Sequence, residues 1–133
     1  VQGIDLVPEF IESARVRFPE VPFRVASFRN LDVPAGSLHG VLAWYSLIHV
    51  PPGELSSVLR EISRVLTQGG ELLVGFFDGS PGDSFPHAVT TAYYWSPKHL
   101  GGLLSEAGFE VLEVETRQDP GRRAHAAITA AVR

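Results

Sequence analysis

The chain has 133 residues, enough for one small domain and not two. Its formal charge of −4 argues against a broad nucleic-acid face, which needs a basic surface, and 44% apolar residues are ordinary for a globular core. The lack of cysteine excludes disulfides and thiolate metal sites, and the five histidines show no metal-ligand spacing, so no metal is expected. No run of about 18 apolar residues suggests a membrane span, and no signal-peptide pattern opens the chain. A cytoplasmic location is the resulting expectation.

Val1 to Ile4 reads as a short strand ending at Asp5. From Pro8 to Phe18 the spacing predicts a helix with Phe10, Ile11, Ala14 and Phe18 on one face. Pro8 suits its first turn and Pro19 ends it. Phe23 to Val25 is a second short strand, and Arg29 to Ser37 is a loop punctuated by Asp, Pro and Gly. Val41 to Tyr45 is apolar nearly throughout, as in a parallel strand buried on both faces. Pro51-Pro52-Gly53 opens a helix carried by Leu55, Val58, Leu59, Ile62, Val65 and Leu66, which Gly69-Gly70 stops.

Glu71 to Phe77 is the fourth strand, and Asp78 to Thr90 is a long loop of the kind that often serves binding. Ser96-Pro97 caps a helix with a stripe of Leu100, Leu103, Leu104 and Ala107, ended by Gly108. Phe109 to Val114 and Ala124 to Val132 are two last strands, close in sequence and expected to be antiparallel. Strands alternating with helices imply an α/β fold with helices on a mostly parallel sheet. Residues 1–133 read as a single domain.

Several local words resemble the class I S-adenosylmethionine-dependent methyltransferases, in their small-molecule branch. Asp5-Leu6-Val7-Pro8-Glu9-Phe10-Ile11 is similar to the family's acidic strand end and following helix. Ala26-Ser27-Phe28 through Gly36-Ser37-Leu38-His39 keeps the spacing of the loop after its third strand. Ser27 and His39 stand where the family has acidic residues. Leu47-Ile48-His49-Val50 resembles a word that follows the central strand. Arg64-Val65-Leu66-Thr67-Gln68-Gly69-Gly70-Glu71-Leu72-Leu73 is the most specific match.

The resemblance implies a Rossmann-like three-layer sandwich, mostly parallel, with an antiparallel C-terminal strand. It also implies that the first strand, its helix and the glycine-rich loop for the methionine end of the cofactor are missing from these residues. They would lie upstream of Val1 or come from another chain, or these residues would rearrange. The expected cofactor is S-adenosylmethionine and the expected partner a small-molecule acceptor, with no nucleic acid and no membrane; a homodimer stays open. The expected activity is methyl transfer.

Asp5 would bind the ribose hydroxyls beside Leu6, although Asp also suits a helix cap, and the same carboxylate would suit a nicotinamide cofactor. By position, Ser27 and Phe28 would meet the adenine, and Trp44 and Tyr45 would line the cofactor cleft; Trp44 serves a core equally well. His49 suits general-base work near neutral pH, or a structural corner. Tyr93 and Tyr94, with Phe85, His87 and Trp95, would cap an apolar acceptor or pack the helix entry. His99, His125, Arg122 and Arg123 read as surface residues. Two rival readings are a non-catalytic α/β interaction module without cofactor and a nicotinamide-dependent oxidoreductase on the same fold.

Overall fold

A computed structural model describes residues 1–87 and 90–133, and the chain divides into two compact units, Val1–Val33 and Pro34–Arg133. In the first unit β1 (Gly3–Asp5) leads into α1 (Pro8–Arg17) and β2 (Phe23–Val25), and β2 pairs with β1 in parallel. The amide of Ala26 continues that ladder onto the carbonyl of Asp5 at 3.0 Å. Pro8 occupies the first turn of α1, where its missing N–H costs nothing. Of the apolar face expected on α1, only Ile11 is buried; Phe10 and Phe18 are exposed. Two strands of three residues each are too small a platform to cover a ten-residue helix.

The second unit contains β3 (Leu38–Trp44), a 3-10 turn over Leu47–His49, α2 (Pro52–Val65), β4 (Leu66–Phe77), β5 (Ser84–His87), β6 (Thr90–Tyr93), α3 (Pro97–Glu106), β7 (Phe109–Arg117) and β8 (His125–Val132). Four strands form one sheet in the order β3-β4-β8-β7. β3 and β4 are parallel; β8 is antiparallel to β7, as the short polar connection around Asp119-Pro120-Gly121 predicts, and also to β4, so this sheet is mixed and not mostly parallel as expected. β4 starts at Leu66, directly after α2, and Gly69 takes a φ of 78° that a side chain would strain. The segment expected to be one loop from Asp78 to Thr90 instead contains β5, half of an antiparallel hairpin with β6. Phe85 gives that hairpin a buried anchor, which its Gly and Pro content conceals in the sequence. Ala88 and Val89, also part of the expected loop, lie outside the described residues.

Helices cover one face of the four-stranded sheet. Leu55, Val58, Leu59, Ile62 and Val65 of α2 are buried, and so are Leu100 and Leu104 of α3. From the sheet they meet Leu72, Val74, Phe76, Ile128 and Ala130. Ser96 caps α3, its hydroxyl oxygen accepting the amide of His99 at 3.1 Å. Each fully buried large side chain contributes about 1.5–3 kcal/mol relative to exposure.

The opposite face is open. Leu42 and Trp44 are 67% and 53% exposed, so β3 is not buried on both sides as its apolar run suggests. An unbroken apolar strand predicts two covered faces, yet within this unit helices reach only one. Leu59→Ala should cost about 2–5 kcal/mol in urea unfolding, because it opens a cavity in the covered face. Leu42→Ala on the open face should cost less than about 1 kcal/mol.

Candidate functional site

Asp5 ends β1 beside the turn that follows β2. One carboxylate oxygen, Oδ1, accepts the amide of Val7 at 2.8 Å, so the side chain does take up the start of α1, two residues ahead of the N-cap. Oδ2 has no partner among the described residues. Because Asp5 pairs with Val25, Ser27 and Phe28 come two and three residues beyond the same strand ends. Ser27 folds that turn: its Oγ accepts the amide of Arg29 at 3.1 Å and its carbonyl accepts the amide of Asn30. Leu6 is exposed, and Phe28 is half-buried. The structure thus brings Asp5, Leu6, Ser27 and Phe28 to one end of the first unit.

In the second unit the residues expected to matter gather where β3 and β4 end. Trp44 lays its ring over Gly75, where an added Cβ would come within 2.7 Å of the indole. Tyr45 leaves the strand with a φ of 55°, a left-handed conformation uncommon for a bulky residue. Its amide donates to the carbonyl of Gly75 at 3.0 Å, which holds the turn. The Tyr45 ring meets Trp44 edge-on at 5.0 Å and Phe77 at 5.1 Å. Its hydroxyl lies 2.5 Å from Nδ1 of His125. His125 is the first residue of β8 and pairs across the ladder with Phe77.

His49 closes the 3-10 turn. Its Nδ1 lies 3.0 Å from the carbonyl oxygen of Thr91. A carbonyl only accepts, so Nδ1 carries the proton, and in the neutral ring Nε2 keeps its lone pair. His87 stands beside it, ring centroids 5.7 Å apart, and also meets Phe77 at 5.5 Å. The rim thus carries Tyr45, His49, Phe77, His87 and His125, with Phe85 behind them in contact with Phe77. Among the described residues no group of three His, Asp or Glu is placed to hold a metal ion.

Tyr93 pairs with Ser84 in the hairpin. Tyr94 packs its ring on Phe85 at 4.4 Å and crowds Gly79. Trp95 is buried against His99, and its amide bonds the carbonyl of Phe77. Trp95 thus packs the entry to α3, while Tyr94 braces the hairpin. Sequence reasoning passed over His125 and Arg123 as surface residues. The guanidinium of Arg123 sits 4.3 Å over the Phe85 ring, a cation–π contact. Only the strand register that sets Phe77 opposite His125 could have signalled the first of these.

Burial raises the Tyr45 phenol above its ordinary pKa of 10.0. The folded protein holds this proton more tightly than the unfolded chain, so the stabilisation is complete below pH 10 and fades as pH rises through the folded-state value. Thermal melts above pH 10 should therefore fall more steeply for wild type than for Tyr45→Phe.

The family model described as a methyltransferase domain matches residues 1–70, just over half of the chain. The ubiquinone/menaquinone biosynthesis C-methyltransferase UbiE of Campylobacter jejuni is 27% identical over 144 residues, covering 87% of this chain. The chain spans 60% of the length of that relative. Solved structures that share the fold include two methyltransferases. One is a SAM-dependent methyltransferase of Methanosarcina mazei, with a TM-score of 0.89, 21% identity, and coverage of 99% of this chain and 81% of its own. The other is the 1,6-didemethyltoxoflavin-N1-methyltransferase of Burkholderia thailandensis with bound 1,6-didemethyltoxoflavin and S-adenosylhomocysteine. Its TM-score is 0.77 at 23% identity, with coverage of 98% of this chain and 60% of its own.

Proposed function

The chain belongs to the methyltransferase domain family, and from that premise we propose that the protein transfers a methyl group from S-adenosylmethionine to a small-molecule acceptor. The observation that carries this reading is the family match across residues 1–70, which includes Asp5, Ser27, Phe28, Tyr45 and His49. That match also runs across the boundary between the two compact units, which supports reading both as parts of one domain.

The donor set suits the nucleoside part of the cofactor. Asp5 has a carboxylate oxygen left for ribose hydroxyls at a strand end, where doubly wound folds take their ligands. Phe28 offers a ring face to the purine, and Leu6 adds apolar surface beside it. Trp44 and Tyr45 present rings at the end of β3. The bound cofactor would supply an electrophilic methyl group on a sulfonium, and the protein's share is chiefly alignment.

His49 has the second role. With Nδ1 held by Thr91, its Nε2 orients a proton-bearing acceptor and takes the proton where the acceptor must lose one. Tyr93 and Tyr94 stay in the reading as acceptor contacts, supported only by their place on the hairpin beside Phe85. The three-layer arrangement, with a further strand and helix, is supported by exposed Leu42 and Trp44 and by β3 standing at the end of its sheet. A glycine-rich turn for the methionine end belongs to that further part.

Calorimetry on the full-length natural protein should show binding of S-adenosylhomocysteine and none of NAD. Asp5→Ala should weaken that binding about tenfold or more, the loss of a charge-assisted hydrogen bond. His49→Ala should leave it unchanged while slowing transfer to protic acceptors. Binding of NAD instead would favour an oxidoreductase, and binding of neither would favour an interaction module.

A further inference from the structure

His125 lies 80 residues from Tyr45 in sequence, yet the two side chains meet at 2.5 Å at the rim. Both are half-buried. Tyr45 is held from two sides: its amide on Gly75 and its ring between Trp44 and Phe77. A left-handed backbone at a bulky residue is strained and persists where surrounding structure imposes it, commonly at functional sites. His125 also lines an open groove with Glu115, Thr116, Arg117, Ala126 and Ala127. It thus touches the rim through Tyr45 and an open groove at the same time. The charged and titratable groups around it are Tyr45, Glu115 and Arg117, with Asp78 following its partner Phe77 and His87 beyond.

We propose that Tyr45 and His125 form a proton relay that serves acceptors of the phenol class, giving their proton an exit besides His49. This rests on the methyl-transfer reading. In the neutral imidazole the proton sits on Nε2, and the Tyr45 hydroxyl donates to Nδ1. The O–H bond of the acceptor breaks, and its proton passes to the Tyr45 oxygen as Tyr45's own proton passes to Nδ1. The electron pair released on the acceptor forms the bond to the methyl carbon. The pair of the breaking sulfur–methyl bond returns to sulfur, giving the neutral thioether. The imidazolium then gives its Nε2 proton to water in the groove, and exchange with water returns the ring to the Nε2–H tautomer before the next turnover.

Acidity selects the class. The Tyr45 hydroxyl, which burial holds above its ordinary pKa of 10.0, exchanges protons more readily with phenols and enols than with the far less acidic aliphatic alcohols. Tyr45 is the catalytic residue of this relay, and His125 is a positioning residue that acts through it.

The test uses the full-length natural protein, with S-adenosylmethionine and two probe acceptors. In assays at about pH 8.5, 1-naphthol must still lose a proton, whereas 4-nitrophenol is already largely ionised. Tyr45→Phe and His125→Ala should each lower kcat for 1-naphthol at least tenfold. For His125→Ala, KM, affinity for S-adenosylhomocysteine and transfer to 4-nitrophenol should stay within about threefold. Imidazole should restore part of the His125→Ala loss. Nitrogen-15 NMR of wild type should show His125 as the Nε2–H tautomer, a readout that needs neither turnover nor a folded variant. An Nδ1–H tautomer, equal losses on both probes, or cofactor binding without transfer to 1-naphthol would each overturn the relay alone. Failure to bind S-adenosylhomocysteine would overturn the methyl-transfer reading and the relay with it.

Discussion

The carbonyl of Gly75 accepts the amide of Tyr45 at 3.0 Å, one residue past the end of β3. That bond turns the chain out of the sheet and forces Tyr45 into its left-handed conformation. It is possible because position 75 has no side chain: the Trp44 ring fills the space where a Cβ would stand. With Tyr45 fixed there, its ring lies on Phe77 and its hydroxyl reaches His125. The 3-10 turn that follows delivers His49 to Thr91 of the hairpin. The chemistry available at this rim thus descends from a close approach of two parallel strands.

The register of β4 does the rest. Its pairing with β3 on one side and β8 on the other satisfies its backbone groups, which a buried central strand requires. The same pairing alternates its side chains between faces. Leu72, Val74 and Phe76 go to the covered face, while Leu73, Gly75 and Phe77 face the open one. A slip of one residue would exchange these sets and move Phe77 away from His125. Core stability and site geometry are in this sense one requirement on the same strand.

Much of this was legible beforehand. The helical period in Leu55 to Val65 and the cap at Ser96-Pro97 located α2 and α3 within a residue or two. The apolar runs located β2 and the end of β4, although β4 starts at Leu66, five residues ahead of the expected Glu71, and the family words singled out Asp5 and His49 as candidates. Three features were not legible, each for a physical reason. An apolar strand such as Val41 to Tyr45 reads the same whether one face or two are covered, because periodicity reports patterning and not what lies opposite. Tyr45 gives no hint of a positive φ, since Gly and Asn are the residues that ordinarily mark one. His125 sits among exposed-looking arginines, and its partner is set by ladder pairing, which a linear reading does not contain.

Trp44 and Trp95 are the only two indoles of the chain, and they occupy opposite environments. Trp95 is 4% exposed and stacked on His99, whereas Trp44 is 53% exposed and edge-on to Tyr45. The molecule therefore carries two fluorophores with separable emission, one blue and shielded from iodide, the other red and quenchable. Whatever covers the open face of β3, the proposed further strand and helix included, should change the second and leave the first alone.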